Sequence, residues 1–412
     1  SGTFSLDILE NEEKKAGAAF PISYENRLEA KTAIKRELYG LLSARTGKTL
    51  PWGTLTGIRP TKIALSRLDQ GVSEEEIREF MEKTYLTSSE KIGLSLEIAE
   101  REKELLSHID YENGYSLYVG IPFCPTTCLY CSFTSYPIGA WEKKMDQYLA
   151  ALFKELDYVA ETMKGRTLDT VYFGGGTPTA LKAEELDAIL TRIEERFDLS
   201  SVKEFTVEAG RPDSITEDKL KTLRAHGISR ISINPQTMKQ STLDLIGRRH
   251  TVAQFLEAFD MARRCGLDNI NTDLIAGLPG DDYEGFTQTL EGILRLDPES
   301  VTVHTLSMKR ASNLVIHRRA DYRVKDDAVR MVGLTADRLP LAGYRPYYLY
   351  RQSRTVGNQE NVGWAKPSRE GLYNVYIMDE THTILGCGAG AVTKLKQFGT
   401  EYLERIFNYK FP

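Results

Sequence analysis

The sequence predicts an α/β protein built on parallel strands, and three observations carry that expectation. Short β-branched runs recur at Leu117–Ile121, Thr170–Phe173, Glu204–Val207, Ile228–Ile233, Ile270–Ile275 and Ser300–Thr305. Amphipathic segments fill most of the gaps: Leu149, Leu152, Phe153, Leu156, Val159 and Met163 recur at helical spacing, as do Leu186, Ile189, Leu190, Ile193 and Phe197. The alternation is confined to the middle of the chain. Strand–helix units in series imply parallel strands joined by right-handed crossovers. Such a sheet either closes into a barrel or opens into a doubly wound sheet, and both place function at the C-terminal strand ends.

Taken in order, residues 1–112 read as a mostly helical N-terminal domain. Tyr24–Leu42, Glu74–Thr84 and Ser88–Leu106 are rich in helix formers, and Thr49–Pro60 is a Gly/Pro-punctuated loop. Tyr111–Gly114 is a polar seam that marks the first boundary, and residues 113–310 hold the alternating segments. In residues 311–412 the pattern decays into a helix-like stretch, Asp326–Leu339, and an aromatic strand candidate, Tyr344–Tyr350, an α+β extension. At roughly 150 residues per domain, 412 residues suit two or three domains.

Composition excludes several classes. Lys+Arg 53 against Asp+Glu 58 gives −5, so no basic excess points to nucleic acid. No apolar run approaches the roughly 18 residues of a spanning helix. The chain starts Ser1-Gly2 without Met, which suggests a trimmed or replaced start, and a cytoplasmic location is expected.

Of 5 cysteines, Cys124, Cys128 and Cys131 crowd into Tyr118-Val119-Gly120-Ile121-Pro122-Phe123-Cys124-Pro125-Thr126-Thr127-Cys128-Leu129-Tyr130-Cys131, just after the first middle strand. An odd, sparse count is no disulfide framework, and isolated Cys265 and Cys387 read as small buried hydrophobes. Three thiolates on one short loop can hold three irons of a [4Fe–4S] cube and leave the fourth open. The competing reading is a zinc site completed by a distant ligand such as Cys265 or a His. A second motif, Tyr172-Phe173-Gly174-Gly175-Gly176-Thr177-Pro178-Thr179, ends the second strand. Its glycines let backbone groups approach a ligand, yet it is neither a Walker loop nor a dinucleotide fingerprint.

Together these motifs resemble the radical S-adenosylmethionine (SAM) superfamily, and within it the oxygen-independent coproporphyrinogen III oxidases. Val207-Glu208, Ile233-Asn234-Pro235-Gln236 and Asp273-Leu274-Ile275-Ala276-Gly277-Leu278-Pro279 extend the resemblance from Tyr118 to about Ala391. The N-terminal domain resembles an extra domain carried by a subgroup. The resemblance implies a partial (βα)6 barrel, a [4Fe–4S] cluster on Cys124, Cys128 and Cys131, and one or two SAM molecules. SAM would chelate the open iron and yield a 5′-deoxyadenosyl radical, which removes hydrogen from a propionate that then loses CO2 to become vinyl. Gly175, Gly176 and Thr177 would line the methionyl part, with Tyr118 and Tyr130 against cluster or adenine. Glu208, Gln236 and Asp273 would bind the ammonium or ribose hydroxyls, and Arg248 the SAM carboxylate.

The implied partners are a tetrapyrrole and a low-potential electron donor such as flavodoxin or ferredoxin. Candidate partners for the substrate carboxylates are Arg59, Lys309, Arg310, Arg345, Arg351 and Arg354, with some of the later ones expected at the mouth of the site. Ser307 follows the sixth strand and ranks low. Two departures stand out. Phe133 occupies a position where the oxidases often have another Cys, as in heme-trafficking paralogues. Those paralogues carry a His-Asn-x-x-Tyr-Trp stretch, and here the matching segment is Tyr373-Asn374-Val375-Tyr376-Ile377, without the His. Gly386–Ala391 resembles the small-residue segment that follows. The dehydrogenase is the favoured reading; a heme-trafficking protein, or an enzyme acting on heme or another tetrapyrrole, is the alternative.

Overall fold

The computed structural model describes residues 2–23, 25–57, 59–133, 135–316, 327–380, 382–400 and 402–412. The predicted helix starts at Tyr24 and Asp326 lie outside those residues, as do Ile58 and Thr134 of the quoted loops.

The chain opens with an antiparallel hairpin, β1 (Gly2–Glu10) and β2 (Glu13–Ile22), which a mostly helical reading of this domain does not contain. Asn11 and Glu12 turn it with φ of 51° and 67°, the left-handed pair that a two-residue hairpin requires. Four helices follow: α1 (Arg27–Thr46), α2 (Thr61–Asp69), α3 (Glu74–Tyr85) and α4 (Ser89–Leu106). Ser73 and Glu76 form a capping box at the start of α3.

The predicted alternation is then realised in full. The strands are β3 (Gly114–Ile121), with the short pair β4 (Phe123–Cys124) and β5 (Tyr136–Pro137), then β6 (Thr167–Gly175), β7 (Glu204–Gly210), β8 (Arg230–Ile233), β9 (Ile270–Ala276) and β10 (Ser300–Thr305). The crossovers are α5 (Met145–Thr162), α6 (Ala183–Arg196), α7 (Glu217–Ala225), α8 (Gln240–Leu245) with α9 (Val252–Arg264), and α10 (Tyr283–Leu296). Beyond them come α11 (Asn313–Ile316), α12 (Asp327–Leu341), β11 (Arg345–Arg351), β12 (Glu360–Ala365), α13 (Leu372–Asp379), β13 (Thr383–Cys387), β14 (Val392–Lys396) and β15 (Leu403–Phe407).

The C-terminal region is not a body of its own, because its strands join the central sheet on both flanks. The order is β11-β12-β10-β9-β8-β7-β6-β3-β13-β14-β15, with β12 antiparallel to β10 and β13 parallel to β3. Side chains alternate along each strand. Leu117, Val119, Val171, Phe173, Phe205, Val207, Ile231, Val301 and Val303 pack with helix residues into the main core. The opposite face carries Tyr118, Tyr172, Glu208, Asn234, Asp273, His304, Tyr348 and Tyr350. A barrel of this type is ordinarily filled by branched apolar side chains; here its concave interior is polar and aromatic.

α13 closes that interior from the N-terminal strand ends. Glu204, at the start of β7, accepts from the backbone N–H of Leu372 (2.7 Å) and Tyr373 (3.3 Å). Tyr373 thereby stacks on Tyr172, ring centroids 4.3 Å apart. The N-terminal domain is fastened at the start of β12, beside the C-terminal end of β10. Trp52 Nε1 donates to Glu360 (2.7 Å), and Lys91 pairs with that carboxylate at 2.8 Å. Among the described residues no helix is long and apolar enough to cross a membrane.

Candidate active site

The cysteine loop leaves the C-terminal end of β3 and is pinned by backbone bonds on three sides. Tyr136 N–H donates to Pro122 O (2.8 Å), Leu129 N–H to Ile246 O (2.9 Å), and Leu314 N–H to Leu129 O (2.8 Å). The glycine run supplies the fourth side: Gly176 N–H reaches Ile121 O (2.8 Å) and Thr177 N–H reaches Phe123 O (2.7 Å). A Cβ at Gly176 would sit 2.5 Å from Phe123 O, so only glycine permits this approach. Gly175 turns with φ of 106°.

Two side chains address the sulfurs. Thr177 Oγ1 lies 3.4 Å from Cys124 Sγ, and Arg211 Nη1 lies 3.8 Å from Cys128 Sγ. The same Arg211 nitrogen bonds Thr126 O at 2.9 Å, while Asp213 holds the rest of the guanidinium. Burial pushes the Cys124 thiol up, and pushes Cys131 up to about 11. A metal must therefore displace protons to bind. Among the described residues no three His, Cys, Asp or Glu side chains are grouped as a single metal ion requires. Cys387 is buried in β13 opposite Val119 as expected, whereas Cys265 caps α9 and is only partly buried, because it ends a helix at the rim of the core. Three thiols on one loop, two of them addressed by donors, suit a cluster with one open corner.

Around this loop the remaining sequence-predicted residues converge. Arg248 is buried, donating from Nη1 to Tyr130 OH (3.0 Å) and from Nη2 to Asn234 O (2.7 Å). Its Nε lacks a partner among the described residues. Gln236, at φ 69°, prolongs β8 beside β9: its N–H donates to Asp273 O and its carbonyl accepts from Ile275, both at 3.0 Å. Tyr118 stacks with Tyr172 and Tyr373, centroids 6.1 Å apart in each case. Tyr172 donates a short hydrogen bond to Glu208. Burial nevertheless raises Glu208 to about 7, with the charge of Asp273 adding to the rise. Burial also acts to raise Asp273, but hydrogen bonds and charge from His304 and Asn271 hold it below the usual carboxylate range. The interior thus pairs one carboxyl near neutrality with one firmly ionised.

The cations expected at the mouth divide. Met308 N–H donates to Arg354 O (3.1 Å), which sets Lys309, Arg310 and Arg354 on loops beyond the C-terminal end of β10. Arg351 does not reach the mouth. It is buried, donating to Leu55 O (2.6 Å) and Asn358 (2.8 Å) with its guanidinium over Trp52, so it fastens the N-terminal domain. Arg345 begins β11 at the opposite end of the sheet, opposite Ala365. Arg59 binds Asp379 O and Glu380 at the end of α13. Ser307 bonds Ser353 O at 2.9 Å and acts as a strap between loops. Sequence reasoning missed Arg211 and His304, and quoted Tyr172 and Tyr373 in motifs without giving them a place in the site. Arg211 had a signal, standing one turn past a predicted strand end; the others gain meaning only from partners far along the chain.

The radical SAM superfamily profile matches residues 118–293. Over 390 residues the chain is 42% identical to the oxygen-independent coproporphyrinogen-III oxidase-like protein HemZ of Bacillus subtilis, spanning 93% of this chain and 78% of that protein. It is 32% identical over 281 residues to the heme chaperone HemW of the same organism, spanning 67% of this chain and 70% of that protein. Among solved structures, coproporphyrinogen III oxidase (HemN) from Escherichia coli, a radical SAM enzyme, matches with a TM-score of 0.58 at 25% identity, covering 70% of this chain and 66% of that one.

Proposed function

The chain belongs to the oxygen-independent coproporphyrinogen III oxidase-like family of radical SAM proteins, and from that premise we propose that it oxidatively decarboxylates a propionate-bearing tetrapyrrole. Coproporphyrinogen III is the substrate and protoporphyrinogen IX the product. Each propionate would give up one hydrogen atom, one electron and CO2 to become vinyl, the hydrogen atom going to the abstracting radical that bound SAM would supply and the electron to an external acceptor. The observation that carries this reading is the three-thiol loop at the mouth of an acid- and tyrosine-lined interior.

Cys124, Cys128 and Cys131 would hold the [4Fe–4S] cluster. When bound, cluster and SAM together supply hydrogen-atom abstraction, given an electron from a low-potential donor. The chain's own part is placement. Glu208, ionising near neutrality, accepts the SAM ammonium, and Asp273 accepts ribose hydroxyls. The unpartnered Nε of Arg248 takes the SAM carboxylate, a charge-assisted bond. Gly175, Gly176 and Thr177 border the methionyl chain, while Gln236, Tyr118 and Tyr130 wall the remainder and exclude water. Lys309, Arg310 and Arg354 meet propionates that remain outside.

The test is anaerobic turnover by reconstituted protein with reductant, SAM and coproporphyrinogen, read by mass spectrometry. Vinyl product and CO2 should accompany 5′-deoxyadenosine; SAM consumption without CO2 release overturns the reading. The likeness to HemW supports heme carriage as a second reading. Tyr373 counts against it, because the segment that matches the paralogues' histidine offers a phenol already stacked on two tyrosines. Stoichiometric heme binding with a Soret band and no porphyrinogen chemistry would favour carriage.

A further inference from the structure

The interior contains a chain of polar contacts in which the family resemblance gives a role to Asp273 but none to His304 or Tyr350. Asp273 in β9 accepts from Asn271 Nδ2 at 2.7 Å through Oδ1, and its Oδ2 lies 3.7 Å from Nε2 of His304 in β10. The other imidazole nitrogen, Nδ1, lies 3.2 Å from the hydroxyl of Tyr350 in β11. β12 separates β11 from β10. It carries Gly363, where a Cβ would fall 1.8 Å from the ring of Tyr348. The bare backbone lets Tyr348 lie across β12, and Tyr350 stacks alongside, interplanar angle 7°.

Burial pushes the Tyr350 phenol well above its ordinary range, so it keeps its proton. The phenol holds the Nδ1 side of the ring, and the Nε2 side faces Asp273. Asp273 is left acceptor-only, with lone pairs unspent and side chain 21% exposed toward the interior, beside a His304 that is 27% exposed. A carboxylate so fixed suits two neighbouring hydroxyls better than a single donor.

We propose that His304, set by Tyr350, is a positioning residue that aims Asp273 at a vicinal diol, the 2′- and 3′-hydroxyls of the SAM nucleoside. This rests on the reading that the interior binds SAM. The same arrangement repeats a device known from metal sites, in which a second partner fixes the ring orientation of a histidine that acts elsewhere.

Calorimetry on the anaerobically reconstituted full chain tests it, with S-adenosylhomocysteine and its 2′-deoxy analogue as probes. The unaltered protein should prefer the ribo ligand by about tenfold, the worth of one charge-assisted hydrogen bond. His304→Ala should reduce that preference towards unity while the deoxy analogue binds as before. His304→Gln keeps an N–H at the Nε2 position and should restore most of it; Tyr350→Phe should fall between. Iron content and circular dichroism should stay constant across the set. If the unaltered protein binds neither probe, the SAM reading fails and takes this proposal with it. If it binds both equally, or if His304→Ala keeps the full preference or weakens both probes alike, the proposal is overturned while SAM binding stands.

Discussion

At Cys128 the sulfur faces a guanidinium nitrogen that also donates to the loop backbone at Thr126, so Arg211 ties charge and shape together at one residue. Removing a positive charge beside a cluster disfavours the state that has gained an electron. Arg211→Met should therefore shift the midpoint potential of the reconstituted cluster to more negative values in an EPR-monitored titration. Glu208 provides a second residue-level expectation. Its folded pKa of about 7 lies above the ordinary 4.5, so between those values the folded chain holds a proton that the unfolded chain has released. Its contribution to stability consequently falls as pH rises through that window. Urea unfolding across the window should show the slope, and Glu208→Gln should flatten it. SAM affinity should move the opposite way, strengthening as pH rises through about 7 because the ammonium needs the ionised carboxylate. The cysteines and glycines were legible because spacing in the chain is itself the geometry. His304 and Tyr373 were not, because each draws its meaning from a strand or helix the sequence does not announce as a neighbour.

Among elements, the six central strands were readable from β-branched composition between amphipathic segments, and all six are present. The N-terminal hairpin was overlooked although Phe4, Leu6 and Ile8 alternate, as do Ala16, Ala18 and Phe20. Its turn is Asn-Glu without glycine, and its second strand is rich in Ala and Lys, which mimics a helix. α13 shows how an element can be placed by one distant side chain. Leu372 and Tyr373 rely on Glu204 for their backbone donors. Glu204→Ala orphans both near the buried end of α13, and should cost about 1–3 kcal/mol in denaturant unfolding. Near-ultraviolet circular dichroism should report the loosened tyrosine stack.

For the whole molecule, the N-terminal domain and the sheet share one core. Trp52 and Leu55 pack within the same cluster as Leu117 and Val119, and Lys91 and Glu360 are both nearly inaccessible, at 3% and 1%. Breaking such a pair from one side leaves a charge without compensation. Lys91→Met should destabilise the chain by about 3–5 kcal/mol, and adding Glu360→Gln should recover much of that loss in the same thermal or urea experiment. Composition could not foresee this seam, because its charges look like ordinary surface residues in sequence.

The partnership of Val119 with Cys387 has a consequence for biogenesis. While a ribosome is still making the central strands, the one that ends in the thiol loop has a bare flank, and it stays bare until residues beyond 380 emerge. Iron and sulfide delivered before that moment would meet three thiols on an unfinished edge exposed to oxidants. Loading after translation, onto a completed sheet, is the order this connectivity favours.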